Sequence, residues 1–431
     1  MHPKKVVGLF AGIGGFEVGL TRAGHGTLLL CENDPGANAV LDAHFPGIYR
    51  SRDVRTLTDV PDGTHLITAG FPCQDLSQAG RTAGIAGKNS SLIGAVFELL
   101  RKRAVPWLLL ENVPFMLQLA NGRALAVIVD ELEGLGYRWA YRVVDSRAFG
   151  LPQRRERVFL LASLEADPRA VLLADDAGLP RDHGRDGRPA CGFYWTEGIR
   201  GLGWAVDAVP TLKGGSTVGI PSPPAILMPS AEIVKPDIRD AERMQGFAPD
   251  WTKPAEAVVK AGYRWKLVGN AVTVDVAHWL GQRLRHPAEY DAGRDRPLAP
   301  ARSWPKAAWG DGGARATVSI SAWPVRAKGA PLHRFLQFNG TLLSVKATAG
   351  FLSRAKSSRL RFPAGFLDAV EVHLKRMRAH DSHLWEEEVP WLGSGPGDVG
   401  QAGEDQASPD EAGDPGSPRT APVGDTVSSS Q

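Results

Sequence analysis

The sequence predicts an α/β protein: a mostly parallel sheet with helices on both faces, a small loop-rich insert and a basic C-terminal extension. Three observations carry that expectation. Strand-like and helix-like segments alternate through the first 163 residues, the pattern of a parallel sheet wrapped by helices. Periodicity then fades over 164–238, where Gly and Pro recur, and helical spacing returns over 239–286. Finally, the charge changes abruptly after residue 293.

The elements follow in order. Residues 6–10 form a short apolar strand that runs into a Gly-rich turn, and 16–23 form the next helix. Residues 28–32 are a second strand, and 35–44 a second helix with Pro35 at its start, where a missing N–H does no harm. Residues 65–70 and 107–112 are apolar runs of strand length, and 90–103 between them has helical spacing. Residues 138–145 and 157–163 read as further strands. Beyond the insert, RDAERMQGF from Ile238 and the stretch 272–284 read as helices. The organisation expected is a core at 1–163, a variable insert at 164–238, a return to the core at 239–286, an extension at 294–378 and an acidic, disordered tail at 394–431.

Composition narrows the function. With 43% hydrophobic and 23% charged residues the chain is an ordinary globular one, which excludes whole-chain disorder. No apolar run reaches the ~18 residues of a membrane span. The N-terminus imitates a signal peptide, but Glu17 interrupts it, so a cytoplasmic protein is expected. Cys31, Cys73 and Cys191 form no close pair, which argues against disulfides or a zinc finger and fits a reducing compartment; no metal is expected. Residues 294–378 carry 16 Lys/Arg and 4 Asp/Glu, a net of +12, whereas 379–431 carry 1 Arg and 11 acids, a net of −10. The basic block suggests a polyanion partner.

Chemistry concentrates at strand ends. Phe10-Ala11-Gly12-Ile13-Gly14-Gly15 follows the first strand, and Glu32 ends the second. In a nucleotide-type fold such an acid accepts hydrogen bonds from ribose hydroxyls. The glycines do not follow G-x-G-x-x-G, so an adenosine cofactor without a pyrophosphate, such as S-adenosylmethionine, fits better. Cys73 sits in Phe71-Pro72-Cys73-Gln74, directly after the third strand, on a loop where a thiol is poised rather than packed. Cys31 and Cys191 read as small buried hydrophobes. Glu111 ends an apolar strand on the same edge, where partial desolvation raises a carboxyl pKa and lets it give a proton. Arg155 and Arg157, two apart in an extended segment, share a face and can clamp an anion or carbonyl.

FAGIGG, GFPCQ, ENV, QRRER, RMQGF and GNAV occur in this order. Together they resemble the DNA cytosine-5 methyltransferases of bacterial or phage type, over about 5–285. The resemblance implies a Rossmann-like S-adenosylmethionine-dependent methyltransferase fold with a variable target-recognition region. It implies Cys73 as nucleophile toward carbon 6 of a flipped-out cytosine, and Glu111 as the acid engaging N3 and the amino group. Arg155 and Arg157 resemble the arginines that orient that acid and hold the cytosine carbonyl. Burial and Arg155 pull the Glu111 pKa in opposite directions. Phe10, Gly12, Ile13, Gly14 and Gly15 look like cofactor contacts, with Glu32 on the ribose and Asp53-Val54 on the adenine. Asn33 stands where many members place a bulky residue against the adenine. Gly70, Pro72, Asn270 and Val272 complete the cofactor set.

DNA contacts are expected at Gln74, Ser77, Arg81 and Lys88 of the Gly-rich loop after Cys73, which can close over a flipped base. Lys213 joins them, within a fragment, Thr211–Gly215, that resembles one kept inside the family's recognition region. Double-stranded DNA is the expected partner, with a cognate restriction endonuclease as a further one, and the chain is expected to be a monomer. Arg354, Lys356, Arg359 and Arg361 bracket a helix–turn–helix-like segment that could meet the DNA backbone. Two other readings keep parts of this account: an RNA cytosine-5 methyltransferase, and a non-catalytic DNA-binding regulator.

Overall fold

Parallel neighbours need a crossover between them, and the first third of the chain supplies one after each strand. Strands β1 (Lys5–Leu9), β2 (Gly26–Cys31), β3 (Tyr49–Ser51), β4 (Leu66–Ala69) and β5 (Trp107–Asn112) lie parallel in the order β3-β2-β1-β4-β5. Helices Gly15–Arg22, Pro35–His44 and Leu92–Lys102 cross over between them. Residues of β4 and β5 are buried throughout, as strands covered on both faces must be. The computed structural model describes residues 2–72, 92–180, 189–215, 222–299 and 303–382. The acidic tail at 394–431 lies outside the described residues.

Beyond β5 the sheet turns antiparallel. After β6 (Arg138–Asp145) and the short β7 (Gln153–Arg154), β8 (Glu156–Ser163) runs against both β5 and β6, with Glu111 opposite Phe159. In the insert, β9 (Cys191–Phe193), β10 (Trp204–Val206), β12 (Ala225–Leu227) and β13 (Ile233–Lys235) build a second, antiparallel sheet, while β11 (Val209–Pro210) pairs with β7. The region expected to be loop-rich therefore has a small sheet of its own.

The extension 294–378 is not one piece. Strands β14 (Asp295–Pro297), β15 (Ala307–Gly310) and β16 (Arg315–Val318) join the central sheet, with β15 against β6. This completes ten strands in the order β14-β16-β15-β6-β8-β5-β4-β1-β2-β3. Strand β17 (Thr341–Leu342) instead closes the edge of the second sheet beside β13. Helices Val345–Ser357 and Phe366–Ser382 then cover that sheet: Phe193, Leu227 and Ile233 pack against Phe351, Phe366 and Val370. Its other face packs Ile226 against Met244 and Val268 of the core. His373 is a neutral strut in this layer, accepting from Ile233 N at 3.2 Å and bonding Leu343 O at 3.0 Å.

Cys31 and Cys191 are buried, and burial pushes their thiols up to about 11 and about 12. Among the described residues no helix is long and apolar enough to cross a membrane, and no cluster of His, Cys, Asp or Glu could hold a metal ion.

Candidate active site

The chain leaves β1 through a conformation that L-residues avoid: Phe10 has φ 54°. A non-glycine residue held there signals local constraint of the kind found at binding sites. Gly14 follows at φ 87° as the cap of helix Gly15–Arg22, and a Cβ there would fall 2.5 Å from the Phe45 ring. The turn is tied to β2 by Ala11 N to Cys31 O at 3.1 Å and by Gly12 N to Glu32 Oε2 at 2.8 Å. The other Glu32 oxygen accepts from Asn33 N at 2.9 Å and Asp34 N at 2.8 Å. Burial raises the Glu32 pKa against the pull of those amides. Asn33 is exposed. Val54 has its side chain in the core at 3% exposure, so only its backbone can meet a ligand. The Asp53 carboxylate is held by Arg55, whose hydrogen bonds lower its pKa.

Sequence reasoning missed what supports this turn. Trp251 donates from Nε1 to Ile13 O at 2.9 Å, and its ring stacks on His44 at 3.6 Å. Ile13 itself is buried beside Phe247 and Ala271. The available signal was the aromatic spacing in GFAPDW, which continues the RMQGF motif.

The reactive edge lies at the ends of β4 and β5. Glu111 is 8% exposed and pairs with Arg157, Nε to Oε1, at 3.1 Å. Burial raises the Glu111 pKa, and Arg157 and then Arg155 oppose it; the direction is upward, so the proton-retaining form gains. Gly70 and Val272 share this corner: a Cβ on Gly70 would lie 3.5 Å from Glu111 Oε2 and 3.8 Å from Val272 Cγ2. Asn112 Nδ2 donates to Phe71 O at 3.0 Å, fixing the segment that ends at the exposed Pro72. Cys73, Gln74, Ser77, Arg81 and Lys88 lie outside the described residues.

Arg155 departs from its expected place. Its hydrogen bonds go to Leu212 O at 3.3 Å, Gly269 O at 3.1 Å and Ala271 O at 2.6 Å, and the residue is 1% exposed. It acts on Glu111 through its charge, and its contacts lock the GNAV segment to the Thr211–Gly215 fragment. Desolvation lowers its pKa well below the ordinary arginine value. The same junction is fastened by Thr211 Oγ1 to Arg154 O at 2.9 Å and Leu212 N to Gln153 Oε1 at 3.0 Å. Gln245 of RMQGF joins in, donating to Val268 O at 2.9 Å and accepting from Thr273 Oγ1 at 2.9 Å. Asn270 is exposed, close enough that a Cβ on Gly214 would lie 2.7 Å from its Oδ1. Lys213 sits 3.5 Å from the buried Glu197 carboxylate and 4.2 Å over the Tyr194 ring.

These motifs thus converge on one edge, as those of a nucleotide-type sheet do. Residues 4–176 match the family described as C-5 cytosine-specific DNA methylase. The chain is 45% identical over 383 residues to the Type II methyltransferase M2.BsuMI of Bacillus subtilis (strain 168), covering 85% of this chain and 97% of that one. A match of that extent necessarily passes beyond the catalytic core and into the C-terminal helix pair. Over 157 residues it is 38% identical to the Type II methyltransferase M.BsuFI of Bacillus subtilis, 36% of this chain and 38% of the relative. The S. pombe Dnmt2 methyltransferase structure shares the fold, with a TM-score of 0.50 at 18% identity over 65% of this chain and 98% of that one. Motif order, strand-end geometry and full-length similarity agree: the chain belongs to the C-5 cytosine-specific DNA methylase family and is a DNA cytosine-5 methyltransferase.

Proposed function

We propose that the chain methylates carbon 5 of a cytosine flipped out of a short duplex DNA site, with S-adenosylmethionine as donor. The observation that carries the assignment of roles is the buried Glu111–Arg157 pair at 3.1 Å, set beside Gly70 at the strand ends. The residues present fit the cofactor. A Cβ on Gly12 would meet nothing within 4 Å, which leaves an open cradle, and Glu32 Oε2 accepts one amide and keeps a lone pair for a hydroxyl.

The bound cofactor supplies an electrophilic methyl group. Cys73 adds to carbon 6 as a thiolate, and the displaced ring electrons make carbon 5 nucleophilic. Glu111 gives a proton or a strong hydrogen bond to N3 as that addition proceeds, a step worth about 10²–10⁴ in rate. Arg157 fixes the Glu111 carboxyl in place and offers further N–H groups to the cytosine carbonyl. After carbon 5 has taken the methyl group, a water-borne base removes its proton and Cys73 leaves as thiolate. A base in the stack cannot be attacked at carbon 6, so flipping costs about a few kcal/mol, which contacts to the DNA backbone offset. Lys213, steadied by Glu197 and Tyr194, is suited to one such phosphate. The Type II designation of M2.BsuMI supports a modification role beside a cognate restriction endonuclease.

Methyl transfer to duplex DNA and to structured RNA tests this reading, with wild type beside Glu111→Gln. DNA should be methylated by the wild type, and the variant should turn over about a hundredfold or more slowly with unchanged affinity for duplex and cofactor. Transfer to RNA alone, or wild-type turnover by the variant, contradicts it.

A further inference from the structure

The C-terminal cations divide by use. Those near the central sheet stitch it together: Arg315 bonds Glu133 at 2.9 Å and Asp130 at 2.6 Å, Arg294 pairs with Asp291 at 3.3 Å, and Arg326 donates to Ala177 O at 2.8 Å. In the helix pair, Arg354 donates to Trp195 O at 2.6 Å and Lys356 pairs with Glu371. Of these two, both expected to face DNA, Arg354 is tied to the recognition region, and Lys356 forms a surface pair between the two helices.

Arg359 and Arg361 are different. They lie between the two helices, both exposed, and neither makes an ion pair among the described residues. Their backbone is nonetheless held firmly. Trp204 Nε1 donates to Arg361 O at 2.9 Å, Ser358 Oγ donates to Ala355 O at 2.8 Å, and the Phe362 ring stacks on Phe366 at 5.0 Å. The Trp204 contact sets this segment against the β9–β10 connection. That connection carries exposed Arg200 at its tip and Tyr194 at its base. Tyr194 donates to Thr211 O, lies under the Lys213 ammonium, and is within electrostatic reach of Arg154, Arg157 and Arg155. Lys213 thus sits on Tyr194, at the base of the connection that carries Arg200, and Trp204 at the other end of that connection holds the backbone of the Arg359–Arg361 segment.

We propose that this basic lip, built jointly by the β9–β10 connection and the segment between the C-terminal helices, holds the phosphate backbone of the duplex beside the target base. The helix pair is then a working part of target recognition rather than an appendage. The proposal rests on duplex DNA being the substrate. Guanidinium groups pair with phosphate oxygens in bidentate fashion, and an anchored backbone reduces the ordering that binding requires. Each phosphate neutralised releases condensed counterions, so each arginine that engages one adds about 0.9 to the slope of log affinity against log salt.

The test uses the full chain and a duplex of about 30 base pairs holding the methylated site, with affinity measured between about 50 and 200 mM salt. Arg359→Gln/Arg361→Gln should lower the salt slope by about 1 to 2 and weaken low-salt binding about tenfold or more. Arg200→Gln, on the other loop, should lower the slope by about 1, and Arg359→Lys/Arg361→Lys should keep most of it. Thermal unfolding and cofactor affinity should not change. Wild-type slopes and affinities in the folded glutamine variants overturn the lip while leaving the duplex reading intact. A wild type that neither binds nor methylates duplex DNA overturns the reading on which the lip rests.

Discussion

Glu17 sits at the start of helix Gly15–Arg22, fully buried, and neither carboxyl oxygen has a hydrogen-bond partner among the described residues. Gly8 of β1 makes the space for it: a Cβ there would lie 2.1 Å from Glu17 Oε1. Burial pushes the carboxyl from 4.5 up to about 7, and the nearby Glu32 charge adds to the rise. The folded protein therefore keeps a proton that the unfolded chain releases. Between pH 4.5 and about 7 the native state binds more protons, so stability falls as pH rises through this window and is flat above it. A shift of that size corresponds to roughly 3 kcal/mol at 1.36 kcal/mol per unit. Glu17→Gln keeps the shape of the neutral acid and removes the titration. Urea unfolding at a series of pH values should show the variant gaining on the wild type from pH 4.5 upward. The gain should reach about 3 kcal/mol near pH 8 and then hold steady. A difference that does not vary with pH, or a variant that loses stability at pH 8, would refute the assignment of a buried neutral acid beneath the cofactor turn.

Two further substitutions probe the supports of the site. Trp251→Phe keeps the stacked ring but removes the hydrogen bond to Ile13 O, so cofactor affinity measured by calorimetry should fall about fivefold, the worth of roughly 1 kcal/mol. Unchanged affinity would mean that the turn is held by packing alone. Arg155→Lys leaves one ammonium where a guanidinium serves three carbonyls, so the unfolding free energy should drop by about 3 kcal/mol and turnover with it. A loss under about 1 kcal/mol would show that these carbonyls find other partners.

Four of the five parallel strands were legible because each is a short apolar run, and with them the placement of Glu32, Gly70 and Glu111 at strand ends. Strand β5, Trp107–Asn112, and helix Pro35–His44 begin and end where the sequence pattern places them. Phe10, expected to end the first strand, instead turns the chain with a positive φ. Helix Arg123–Gly134 and strand β3 were missed, the strand because three residues carry no readable alternation. The fate of 294–378 was hidden for another reason. Strand β15 pairs with β6, so that Ala308 lies opposite Tyr141, and β17 closes a sheet begun at Cys191. Pairings so distant along the chain leave no local signal. Nor did the charge count distinguish Arg315, spent on Glu133, from Arg361, whose side chain is exposed. At the site itself, the spacing of Arg155 and Arg157 indicated a shared face, but Arg155 turned to three carbonyls that only the folded chain brings near.

The proposed methyl transfer turns on the Cys73 thiolate. Bisulfite sequencing of plasmid DNA from cells expressing the wild type or Cys73→Ser reads that step out base by base. Methylated cytosines should appear in one recurring short context with the wild type and not at all with the serine variant. Equal methylation in both strains, or none in either while the wild type binds cofactor and duplex, would contradict it.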